Sequence, residues 1–64
     1  MNEGELIERI KILANLLSDE ANKHAHLREI VEDEASRAYH LGCMEALRLV
    51  ADRISVIISE YYRI

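Results

Sequence analysis

From Leu6 to Tyr61 apolar residues recur three and four apart, and no proline interrupts them. That is the period of an amphipathic α-helix. Leu6, Ile10, Leu13 and Leu17 form a first row, widened by Ile7 and Ala14 and spread further by Ile12 and Leu16. So broad an arc calls for burial against more than one neighbour. Asn2 is a fitting N-cap, and Glu3, Glu5 and Glu8 place negative charge at the positive end of the helix dipole.

The interval Ser18 to His26 is the longest polar stretch, and bundle connections of about 2–8 residues fit within it. A reversal is expected there, near Asn22, with an unbroken helix through the interval as the alternative, since no Gly or Pro fixes a turn. Beyond it, Leu27, Ile30, Val31, Ala38 and Leu41 share one side of a helix. Cys43, Leu47, Val50, Ala51, Ile54, Ile57, Ile58 and Tyr61 fall on the nearly opposite side. Between the two sets runs a strip of small residues, Ala35, Ala38, Gly42 and Ala46. Gly42 costs about 1 kcal/mol in a helix interior, so either a close helix crossing or a kink is expected at that point.

The pattern predicts one all-α domain, residues 1–64: a helix over 3–18, a turn over 19–24 and a long helix over 25–62. The arms would be unequal, roughly 24 Å against 57 Å at 1.5 Å per residue, and the short arm cannot cover the long one. A homo-oligomeric helical bundle, dimer or tetramer, is therefore expected. Its interface would use Leu6, Ile10, Leu13, Leu17, Ala35, Ala38, Gly42, Ala46, Leu47, Val50, Ile54, Ile57, Ile58 and Tyr61. Leu41, Leu49 and Val56, flanked by Glu45, Arg48 and Asp52, remain on the other side as a candidate contact for a further protein.

Size supports a shared core. A chain of 64 residues is marginal without staples or oligomers. Cys43 is the only cysteine, so no internal disulfide can form, and a reducing interior is the expected home. Trp and Phe are absent, leaving Leu, Ile, Val and Ala to do the packing. Eight basic and twelve acidic side chains give a net charge of −4, with the bases scattered, which argues against direct nucleic-acid binding. No apolar run approaches the ~18 residues of a membrane span, and the first five residues lack a basic signal-peptide start. A soluble, cytoplasmic protein is expected. The acid run Glu29, Glu32, Asp33 and Glu34 reads as a solvated helix face, with Asp33 and Arg37 paired at i,i+4.

Candidate chemistry is sparse. His40 and Cys43, three apart, can share a helix face, and two copies about a two-fold axis would supply two imidazoles and two thiolates for zinc. The pair is a weak candidate, and neither a metal nor a cofactor is expected. On a helix His24 and His26 point to different faces and cannot grip one ion together. No Glu is followed three residues later by His, as di-iron bundles require, and Gly4 and Gly42 are too isolated for a phosphate loop. The tail Ile57-Ile58-Ser59-Glu60-Tyr61-Tyr62-Arg63 is similar to the endings of the small helical-hairpin phosphatases that act on sporulation regulators. Their Ser-Gln-x-Leu-Asp signature falls here on Ala51-Asp52-Arg53-Ile54-Ser55, which lacks the Ser, Gln and Asp, so the resemblance implies no phosphatase site. The expected function is non-enzymatic: a regulatory or inhibitory interaction module, with a phage or mobile-element accessory protein as the base-rate setting. A self-assembling structural protein is the alternative, and a metal-dependent regulator is a weaker one.

Overall fold

A computed structural model describes residues 1–63. Two helices pack side by side as a hairpin: α1 over Glu3–Ile30 and α2 over Glu34–Arg63. At 28 and 30 residues they are about 42 and 45 Å long, and the molecule is a flat rod of 47 × 19 × 12 Å.

Asn2 begins α1. Its backbone is extended and its side-chain oxygen accepts the Glu5 N–H at 2.8 Å, satisfying a donor that the first turn would otherwise leave unpaired. The helix then runs without a break through Ser18–His26, where a turn over 19–24 was expected. The chain reverses instead at Val31, Glu32 and Asp33. Val31 leaves the helix in extended geometry while its N–H still reaches the Leu27 carbonyl at 3.0 Å. Asp33 starts α2 by accepting the Ser36 N–H at 2.8 Å. The acid run read as a solvated helix face therefore contains the turn and its cap.

This placement corrects two further expectations. The arms are nearly equal, so the argument from a short arm failing to cover a long one does not apply. The swap of apolar faces also involves no kink at Gly42, because α2 is continuous through it: Leu27 and Ile30 of the first set lie on α1, while Ala38 and Leu41 lie on α2. A Cβ added at Gly42 would meet no atom within 4 Å, so the hairpin has no close crossing there either.

The seam has coiled-coil spacing. In α1 it comprises Ile7, Ile10, Ala14, Leu17, Ala21 and His24; in α2 it comprises His40, Met44, Leu47, Ala51, Ile54 and Ile58. Steps of three and four alternate along both rows, the 3.5-residue period that keeps one stripe facing a partner helix. Its most buried members are Ala14, Ala21, Ala51 and Ile58, from wholly inaccessible at Ala21 to 9% exposed at Ile58. Alanines let the backbones approach closely but contribute little apolar area.

Candidate functional site

The two flanks of the seam differ in chemistry. On one, Lys11, Ser18, Ala25, Leu41, Arg48, Ser55 and Tyr62 border the core, and polar contacts cross between the helices. The Lys11 ammonium lies 4.8 Å from the centre of the Tyr62 ring and 3.3 Å from a Glu8 oxygen. Its polar contact with Tyr62, and then Glu8, raises its pKa above the ordinary lysine value. Farther along, Arg48 donates to the Asn22 side-chain oxygen at 3.5 Å. A shallow groove on the same flank runs between Lys11, Asn15, Ser55 and Ser59.

The opposite flank is largely apolar. Heptad geometry places Leu6, Leu13 and Leu27 of α1 there, interrupted by Glu20 paired with Lys23, together with Cys43, Val50 and Ile57 of α2. Leu13 is 49% exposed and Ile57 is 64% exposed, and Leu6, Leu27 and Val50 also stand open. Leu16 and Ile30 extend the patch around α1, and Tyr39 extends it around α2. Single exposed apolar residues are ordinary, whereas a row of them beside one edge of a seam is an extended apolar patch.

The residues expected at a subunit interface therefore divide into three groups. Ile10, Leu17, Leu47, Ile54 and Ile58 belong to the hairpin's own seam, with Tyr61 next in register at its open end. Leu6, Leu13, Val50 and Ile57 form the apolar flank. The small residues Ala35, Ala38, Gly42 and Ala46 are exposed on the outer surface of α2. Of the residues expected to contact a further protein, Leu49 and Val56 are exposed on that outer surface and Glu45 and Asp52 lie beside them, while Leu41 is half-buried.

Near the turn the structure assembles a group that sequence spacing did not anticipate. The His40 ring meets His24 across the seam, with Nδ1 to Nδ1 at 2.9 Å, ring centres 5.1 Å apart and a tilt of 35°. Tyr39 stands edge-on to both rings, at 6.2 Å from His24 and 5.1 Å from His40. Cys43, the weak candidate partner of His40, is half-buried, and the interaction of its thiol with the Tyr39 hydroxyl raises the Tyr39 pKa above the ordinary phenol value. The missed signal was the distance of 16 residues between His24 and His40, visible only once both are placed on the seam of an antiparallel pair.

Among the described residues no three His, Cys, Asp or Glu side chains converge as a metal set, and no helix is long and apolar enough to cross a membrane. The hollows are open depressions; one of about 540 Å³ lies along α1 between Asp19, Asn22, Lys23, His26 and Leu27. No protein-family model, curated protein or solved structure matches this chain.

Proposed function

We propose that this chain is a non-enzymatic helical interaction module. It pairs with a second copy through the flank of Leu6, Leu13, Leu27, Val50 and Ile57, and the paired hairpins act as a regulatory or inhibitory binder of another protein. The supporting observation is surface area. The chain exposes 5058 Å², whereas a folded monomer of 7.4 kDa exposes about 4,200 Å². The excess, about 850 Å², is close to the ~800 Å² that each partner buries in a standard interface. A core with four buried side chains, three of them alanine, also leaves the hairpin short of apolar burial. A four-helix bundle supplies the missing core.

With that flank occupied, Leu49 and Val56 remain on the outer surface of α2 as the contact for the target. The second reading is self-assembly, in which this outer row joins dimers to one another. Light scattering across a concentration series tests both. A constant dimer mass supports the interaction module, mass that grows with concentration supports self-assembly, and a monomer at all concentrations overturns both.

A further inference from the structure

The His24–His40 pair is unusual for a helical seam, because it places two polar rings where the heptad pattern elsewhere supplies aliphatic groups or alanine. Each ring comes from a different helix, and the two Nδ1 atoms face each other at 2.9 Å. With only a proton between them, one ring must carry its hydrogen on Nδ1 and donate while the other accepts. Facing imidazole nitrogens are also a coordination geometry. At Zn–N distances of about 2.0–2.1 Å and a tetrahedral angle, two such nitrogens stand about 3.3 Å apart. Opening the pair by about 0.4 Å is within the reach of small side-chain rotations.

We propose that His24 and His40 form a two-imidazole site for a borderline divalent transition ion, of which zinc is the probe, and that the ion clips α1 to α2 next to the turn. Neutral imidazoles bind such ions through a ring nitrogen lone pair. On binding, the donating ring carries its proton on Nε2 instead of Nδ1, so the pair as a whole loses no proton. Tyr39 stands edge-on beside both rings. Because no third His, Cys, Asp or Glu converges on the pair, water fills the remaining positions. The site is thus a reversible clip of moderate affinity rather than a closed structural centre. It differs from the His40 and Cys43 set weighed from spacing as a weak candidate: its second ligand is on the other helix, and it needs no second subunit.

The test uses the full chain labelled with ¹⁵N and titrated with zinc chloride, observing the imidazole nitrogens by NMR. The expected result is that the Nδ1 resonances of His24 and His40 move together and saturate. His26, exposed on α1 two residues from His24, should stay in place as the internal reference. Unchanged His24 and His40 resonances, or a His26 response of equal size, overturns the proposal. Thermal melting of a Cys43→Ser background, which removes the thiol as a competing ligand, supplies the second readout. Zinc should raise its Tm by several degrees, and adding His24→Gln should weaken apparent zinc affinity at least tenfold. A rise that survives His24→Gln undiminished assigns zinc to some other group and overturns the site.

Discussion

Arg37 reaches back over the turn to Val31, its Nε donating to the Val31 carbonyl oxygen at 2.9 Å. Sequence spacing had paired this arginine with Asp33. In the structure Asp33 is instead committed to the Ser36 N–H, and the nearby Arg37 charge is a minor influence on its carboxyl. Each residue serves a different helix end: Asp33 caps α2 and Arg37 satisfies a carbonyl where α1 gives way to the turn. That division of labour lets a three-residue reversal form without glycine or proline.

Asp33 should make the hairpin sensitive to acid. The Ser36 N–H, foremost, holds its carboxyl below the ordinary aspartate value. A lowered folded-state pKa means the contribution is complete above the unfolded pKa and disappears as pH falls through the folded one. Asp33→Ala should lower Tm by about 4–8 °C at neutral pH, the usual scale for a lost cap in a small domain. Asp33→Asn should retain most of the neutral-pH Tm and flatten its decline below pH 4. A Tm unchanged in Asp33→Ala by circular dichroism would contradict the cap's role.

Gly42→Ala should stabilise the protein. The glycine lies in the interior of α2, has no positive φ, and leaves open space where a Cβ would go. Alanine is favoured there by up to about 1 kcal/mol. Urea denaturation should show a higher midpoint with an unchanged slope. A lower midpoint would mean that another chain packs closely against this outer strip.

Enlarging the seam should have the opposite effect. Ala21 is wholly inaccessible, so Ala21→Leu forces the helices apart or off their preferred rotamers at a cost of about 1–3 kcal/mol. Leu49→Ala on the outer surface, by contrast, should change stability by no more than about 0.5 kcal/mol. Equal effects from the two substitutions in urea denaturation would contradict the assignment of the seam.

Charges on the two apolar rows should separate pairing from target contact. The double change Leu13→Glu and Ile57→Glu should reduce the solution mass to that of a monomer and lower the Tm. Leu49→Glu with Val56→Glu should leave a dimer intact, since both residues lie on the outer surface of α2. If the second variant is monomeric and the first is not, the apolar flank is the wrong pairing surface.

The hairpin and its first cap were legible because Asn2 and the 3–4 spacing state them directly. The reversal was misplaced for a physical reason. Through Ser18–His26 the seam is carried by Ala21 and His24, which hydropathy does not distinguish from the surrounding polar residues, yet their spacing continues the heptad begun by Ile7 and Ile10. The actual turn was obscured by reading Asp33 as one acid among four rather than as a cap three residues before Ser36. His24 and His40 could not be joined at all until the turn was correctly located, because a shift in the reversal changes which residues face one another. An oligomer was expected from unequal arms, which the fold does not have; the excess surface and the one-sided apolar flank that support the proposed pairing are visible only in three dimensions.

With only Val31, Glu32 and Asp33 between the helices, α1 and α2 meet at an effective concentration in the millimolar range or above, as expected of a short tether. The apolar flank has no tether. At cellular concentrations far below that range the seam remains filled by the chain's own second helix, while occupancy of the flank in the proposed pairing would follow protein abundance. The short turn thus separates a contact made within the chain from the proposed one between chains, which would report how much of the protein is present.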